Sequence, residues 1–189
     1  MDGRVHNPER FFRTPDDTPH EVAAQPASKQ VYDEVSGQLV RVPFLWWAYL
    51  ASFDADNFGV DAWPPGVWKQ ELLAQDRSYL AVIRDDGPLH PRPSLVALGG
   101  ISHGPEAEIL TIAVARAQRS RGIGSALLAD LLAVAQSHEA EAVFLEVRAR
   151  DEKAQRMYQR AGFETVGRRP RYYHDDDALI MRYELSRSH

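Results

Sequence analysis

The chain of 189 residues contains no cysteine. That absence removes disulfides, thiolate nucleophiles and cysteine-ligated zinc together, and it fits a reducing compartment. Positive charge is also in deficit: 22 Lys and Arg against 27 Asp and Glu leave a formal net charge of -5. Binding to nucleic acid normally needs a basic face that displaces counterions from phosphate, so no direct nucleic-acid partner is expected and any anionic ligand must be met by local groups. Long apolar runs are missing as well. The longest, "VPFLWWAYLASF", is too short to cross a bilayer and is closed by Asp54 and Asp56. Where a secretory signal would carry its apolar core, the first residues carry charges and prolines. The expectation is a cytoplasmic protein with no membrane partner.

What is present suffices for a core, since 44% of the residues are hydrophobic, and the length suits one domain. Residues 1–30 read as an extended or accessory tail, with Pro8, Pro15, Pro19 and Pro26 among polar residues and little apolar periodicity. Residues 31–189 read as a single domain. Val42 to Phe53 reads as a first helix, and "WPPGVWKQELLAQ" as a second with proline in its first turn. Three β-prone runs follow, "SYLAVIR", "SLVALGGIS" and "EILTIAV", the first two joined by a proline-rich loop that implies an antiparallel connection. Then Ile123, Leu127, Leu128, Leu131, Leu132 and Ala135 share one helical face, and "AVFLEV" reads as a buried strand. Asp151 can N-cap a further helix through Ala154, Met157 and Tyr158 to Gly162, and "FETVGRRPRYY" and "DALIMRYEL" close the chain as two strands. The class is α/β in the α+β sense, a mixed sheet flanked by helices, without internal repeats.

Between a strand and a helix lies "RSRGIG", Arg119 to Gly124. Glycines there let the backbone approach a ligand closely, and the unpaired amides opening a helix suit a phosphate or pyrophosphate. Arg116, Arg119 and Arg121 add positive charge. No Gly-Lys-Ser/Thr follows for a P-loop, and Leu127 stands where G-x-G-x-x-G needs its last glycine, which disfavours a nucleotide hydrolase or a Rossmann dehydrogenase. A tight turn with a solvated arginine rim fits the residues equally well. Glu146, near the end of an apolar strand, could serve as a general base if it faced a cleft, and Tyr158 on the next helix could donate a proton. A strand-end glutamate is also commonly a solvated or paired charge, and a tyrosine at helical spacing is also commonly core. Residue type alone leaves both readings open.

The blocks "ILTIAVARAQRSRGIGSALL", "FLEVRARDEKAQRMYQRAGF" and "GRRPRYYHDDDALIMRYEL" together resemble the GNAT acetyltransferases and, within them, the RimI-like ribosomal-protein-alanine N-acetyltransferases of actinobacterial type. The resemblance runs from about Val42 to Leu185; the tail is unmatched. It implies the GNAT fold, a mixed, mostly antiparallel central sheet flanked by helices, with acetyl-CoA as co-substrate and no metal. Arg119, Ser120, Arg121, Gly122, Ile123, Gly124 and Ser125 would cradle the pyrophosphate, and the backbone of Ile112, Ala113 and Val114 would pair with the pantetheine arm. Glu146 matches the proton acceptor and Tyr158 the proton donor. Asp151 stands where the family usually has a cofactor-contacting asparagine, and a carboxylate cannot donate the hydrogen bond that an amide can. The implied reaction is direct acetyl transfer to the N-terminal alanine amine of a small-subunit ribosomal protein. Acetylation of a lysine or a small-molecule amine is the alternative, and a non-catalytic acyl-CoA-binding module is a third reading.

Other constellations read more plainly. "HEAEA" at His138 lacks the second histidine of a zinc-protease helix, and "YYHDDD" lacks the spacing of a calcium loop and reads as a polar hairpin tip. Strand alternation would let at most one of Tyr172 and Tyr173 face a peptide site.

Overall fold

The computed structural model describes residues 18–87 and 92–185; residues 1–17 of the expected tail lie outside them. In chain order the elements are β1 (His20–Glu21), α1 (Pro26–Asp33), β2 (Gln38–Arg41), α2 (Trp47–Phe58), α3 (Pro65–Glu71), β3 (Arg77–Arg84), β4 (Ser94–Ser102), β5 (Glu106–Val114), α4 (Ile123–Ser137), β6 (Ala142–Arg148), α5 (Glu152–Arg160), β7 (Glu164–Arg169) and β8 (Ala178–Glu184). The eight strands form one sheet in the order β1-β2-β3-β4-β5-β6-β8-β7. Every pairing among the described residues is antiparallel except β5 with β6.

The uninterrupted apolar character of β3 reflects burial on both faces. Leu80 and Val82 pack toward α1 and α4, whereas Tyr79, Ala81 and Ile83 pack toward α2 and α3. Such a two-sided strand cannot alternate polar and apolar residues without burying unpaired polar groups. On β4, Gly99 exists because α4 lies against the backbone: a Cβ there would come within 2.8 Å of Leu131 Cδ1. At Gly100 the Tyr79 ring occupies the equivalent space. The sheet is therefore a middle layer, with α1, α4 and α5 on one face and α2 and α3 on the other.

The first helix expected from sequence starts later than Val42: Phe44–Trp46 is a 3-10 turn leading into α2. The second is shorter, Pro65–Glu71, with Trp68 fully buried beneath it. The tail boundary also shifts. Residues 26–30, assigned to the tail, belong to α1, whose Tyr32 joins the core cluster of α4 and which is also held there by polar contacts that hydropathy does not register. The Asp130 carboxylate accepts from the Tyr32 hydroxyl at 2.6 Å and from the Gln25 amide at 2.7 Å, and Ser28 Oγ donates to the Ala126 carbonyl at 3.0 Å. Burial first, and the neighbouring Asp130 second, push the Tyr32 hydroxyl far above its ordinary value, so it remains a donor. β2 also went unrecognised, being only four residues long with two of them exposed.

Asp130 is 4% exposed, so Asp130→Ala strands the buried Tyr32 hydroxyl and removes the acceptor of the partly buried Gln25 amide. We expect a loss of about 2–4 kcal/mol of unfolding free energy, read by urea denaturation, whereas an exposed control on the same helix changes little.

Candidate active site

The parallel ladder between β5 and β6 runs from Glu106↔Ala142 to Ile109↔Leu145 and stops there, although both strands continue. On its other side β5 stays paired with β4 as far as Val114, with one extra residue, Leu110, bulged between the pairs Ile101↔Ile109 and Gly100↔Thr111. A bulge bends its strand and increases its twist. The two strands thus part at Ile109 and Leu145, and the parting leaves a fork. Ile112, Ala113 and Val114 lie on one prong; Glu146 is the first residue on the other. The bulge also inverts the alternation, so that Ile112 and Val114 pack against the α4 side and Ala113 against the α2 side.

Both connections leaving the fork lead into helix N-termini. After β5 the chain turns through Ser120 at φ 67° and Gly122 at φ 81°, and α4 begins at Ile123. Gly122 occupies the N-cap and offers no side-chain acceptor, so the first amides of the helix remain available to an anion. The cationic side chains around the turn are held in place. Arg119 Nε donates to the Val114 carbonyl at 3.0 Å and Nη2 to Asn57 at 2.8 Å; Arg121 Nη1 donates to Gln118 at 2.8 Å; Lys153 Nζ, from α5, donates to Ser120 at 2.8 Å. α5 begins beside the turn with Asp151 as its cap, Oδ1 accepting from the Ala154 amide at 2.9 Å. That oxygen performs the capping an asparagine oxygen would perform.

Glu146 and Tyr158 belong to opposite faces of the sheet. Leu145 and Val147 are buried toward α4 and α5, so Glu146 between them points to the α2 and α3 side. Its Oε1 pairs with Arg169 Nη1 at 2.7 Å, while Oε2 is buried and takes no hydrogen bond from any described residue. A carboxylate with one oxygen anchored and one free lone-pair set can accept a proton without first giving up a partner. Tyr158 lies within the core beneath α5, edge-on to Phe163 at 5.8 Å, and only 8% exposed. Burial pushes its hydroxyl well above 10, which keeps it protonated across physiological pH.

Sequence reading overlooked several groups here. Glu108 sits on β5 one register step before the fork; burial, then the charge of Glu146, raises its carboxyl above the ordinary range. Arg148 and Asp61 form an ion pair on the same side of the sheet. No local pattern marks either residue. Tyr172 and Tyr173 were expected to diverge along a strand, but β7 ends at Arg169 and residues 170–177 form the turn before β8. Both tyrosines therefore lie beside Glu146. The nearby Glu146 carboxylate, followed by burial, pushes Tyr172 up to about 12. The Tyr173 hydroxyl donates to the Glu146 carbonyl at 3.2 Å, and burial followed by the charge of Glu146 pushes it up to about 12 as well. The acidic run after them is met by guanidinium groups: Asp175 by Arg148 at 2.6 Å, Asp177 by Arg168 at 2.7 Å.

Residues 43–163 match the acetyltransferase (GNAT) family. The chain is 40% identical over 139 residues to an uncharacterized protein of Mycobacterium leprae, covering 70% of its own length but only 35% of that relative. It is 37% identical over 135 residues to the N-alpha-acetyltransferase RimI of Mycobacterium tuberculosis, covering 70% of its own length and 82% of the relative. Among solved structures, the ribosomal-protein-S18-alanine N-acetyltransferase of Escherichia coli superposes with a TM-score of 0.70 at 20% identity, over 81% of this chain and 96% of that one, a likeness of fold.

If Asp151 acts as the cap of α5, Asp151→Ala should cost about 1 kcal/mol of stability by thermal or urea melting, and Asp151→Asn no more than about 0.5 kcal/mol.

Proposed function

The chain belongs to the acetyltransferase (GNAT) family, and we propose that it acetylates the N-terminal α-amine of a protein, with alanine of a small-subunit ribosomal protein as the acceptor. Acetyl-CoA is the donor. The acceptor class rests on the likeness to the mycobacterial N-alpha-acetyltransferase and on the fold shared with the ribosomal-protein-alanine enzyme. The observation that carries the chemistry is the free, buried Oε2 of Glu146 at the point where β5 and β6 part.

In this reading the pyrophosphate of acetyl-CoA lies on the amides of the Arg119 to Ser125 turn, within the charge of Arg119, Arg121 and Lys153. The pantetheine arm runs along the free edge of Ile112, Ala113 and Val114, supplying the hydrogen-bond partners that β6 withdraws at the fork. This sets the thioester beside Glu146. An α-ammonium, pKa near 8, gives its proton to Glu146 directly or through a water. The freed lone pair attacks the thioester carbon, the tetrahedral intermediate expels the CoA thiolate and Tyr158 protonates that sulfur; the surplus proton on the new amide nitrogen passes through water to restore the Tyr158 hydroxyl, and Glu146 releases its proton to solvent. Asp151 would meet the cofactor only as an acceptor or through water, its Oδ1 being engaged by the Ala154 amide.

The preference for an α-amine over lysine has a plain physical basis: at neutral pH on the order of a tenth of an α-amine is free base, against roughly one part in a thousand for lysine. Incubation of alanine-initiated peptides with enzyme and acetyl-CoA, followed by mass spectrometry, should show α-labelling, and blocking the α-amine should abolish it. Equal labelling of lysines in the blocked peptide would favour the lysine alternative.

Glu146→Gln should lower kcat/KM about a hundredfold or more with acetyl-CoA affinity nearly unchanged, and Tyr158→Phe should lower kcat about tenfold without loss of melting temperature. Steady-state kinetics and melting curves on both variants decide this. Wild-type rates in both would remove these residues from the chemistry.

A further inference from the structure

The acceptor side of the fork is walled by two segments far apart in the chain, and one side chain joins them. The first is the connection between α2 and α3, whose 3-10 turn Gly59–Asp61 is anchored at its far end by the buried Asp54 accepting from the Trp63 amide at 2.6 Å. The second is the turn of residues 170–177 between β7 and β8. Arg148, two residues beyond Glu146 and on the same face, reaches both. Its Nη2 pairs with Asp61 Oδ2, its Nη1 with Asp175 Oδ1 at 2.6 Å, and its guanidinium carbon lies 4.5 Å from the centre of the Tyr173 ring. Asp61 also accepts from the His174 amide at 3.4 Å, so the two segments touch each other as well as the arginine. Tyr173 in turn donates to the Glu146 carbonyl. A continuous chain of contacts therefore runs from the α2–α3 connection through Arg148 and Tyr173 to the strand that carries the base.

We propose that Arg148 is a positioning residue for the acyl acceptor: by clamping Asp61 and Asp175 around one guanidinium, it holds the two wall segments against each other and over Glu146, so that the acceptor meets a preformed cleft. The identity of the acceptor rests on the acetyltransferase reading above; the clamp itself rests on geometry alone. Arginine suits the task because its planar fork donates to two carboxylates at once while its face stacks on an aromatic ring, whereas an ammonium is a point charge. Arg148 is 30% exposed and Asp61 16%, so the pair is only partly screened by solvent. The pyrophosphate turn leads into α4 on the opposite side of the sheet and meets α2 through Arg119 and Asn57, and Asn57 is held by its own helix through the Phe53 carbonyl, so the clamp bears on the acceptor more than on the donor site. Two free loops would have to be ordered each time an acceptor bound, and preorganisation removes that cost.

Hydrogen exchange by mass spectrometry and kinetics with an alanine-initiated peptide test this on the full chain. In Arg148→Met the amides of residues 59–62 and 172–177 should exchange faster together, by about tenfold or more, and the acceptor KM should rise by a similar factor while kcat stays within about threefold and acetyl-CoA Kd within about twofold. Arg148→Lys should restore part of the loss. The double variant with Asp61→Asn should be no worse than Arg148→Met alone, because both changes break one device. The proposal fails if only the segment carrying a substitution loosens, if acetyl-CoA affinity falls with that of the acceptor, or if the two losses add. Should Arg148→Met not fold, Asp61→Asn carries the test, since it must loosen residues 172–177 as well as its own segment. If the wild-type chain acetylates no peptide, the acetyltransferase reading is at fault, and the exchange measurement still decides the clamp.

Discussion

The structure depends on the point at which β5 and β6 cease to hydrogen-bond. An extra residue, Leu110, is inserted into β5 against β4 at the same level where the ladder to β6 ends, after Ile109 and Leu145. The bulge bends one strand while its neighbour, held by β8 along its full length, keeps its course. Backbone groups of Ile112 to Val114 are then left without a strand partner on one side, in the middle of a sheet that otherwise satisfies them. A partly buried edge of this kind needs water or a ligand to supply the partners, and this is the role proposed for the amide-bearing arm of acetyl-CoA.

The rest of the site follows from that divergence. The turns that leave β5 and β6 start at the prongs of the fork, so α4 and α5 begin side by side and present their N-termini to the same space. Lys153 of α5 hydrogen-bonds Ser120 in the turn before α4, joining the two. The side-chain alternation of β6 then sends Glu146, the proposed base, to one face, while Tyr158, the proposed acid carried by α5, packs on the other.

Charge is handled locally in a chain whose net charge is negative. Around the turn of residues 119–125 the cations are fixed by neutral acceptors, the Val114 carbonyl, Asn57, Gln118 and Ser120, which orient them without cancelling their charge. Around Glu146 and the turn of residues 170–177 the arginines meet carboxylates instead: Arg148 with Asp61 and Asp175, Arg168 with Asp177, Arg169 with Glu146. The first arrangement leaves positive charge for an anion, and the second builds rigid walls. The same residue type thus serves two purposes according to the partner that the fold provides.

Much of the frame was written in local pattern. The two-sided apolar runs of β3, β4 and β6, the stripe of α4, the cap at Asp151 and the glycine turn at Gly122 each depend on residues close in the chain, and periodicity and capping chemistry report such residues directly. The blocks around Arg119 to Gly124, Glu146 and Tyr158 carried the family. What only the tertiary structure decided depends on residues remote from one another: the seat of α1, where Tyr32 and Gln25 find Asp130; the fork, where a bulge against β4 ends a ladder to β6; the turn that brings both Tyr172 and Tyr173 to Glu146; and the clamp of Arg148 between Asp61 and Asp175. Polar contacts of this kind leave no periodic trace, because a hydrogen bond or an ion pair constrains two atoms in space and says nothing about the spacing of either residue in the chain.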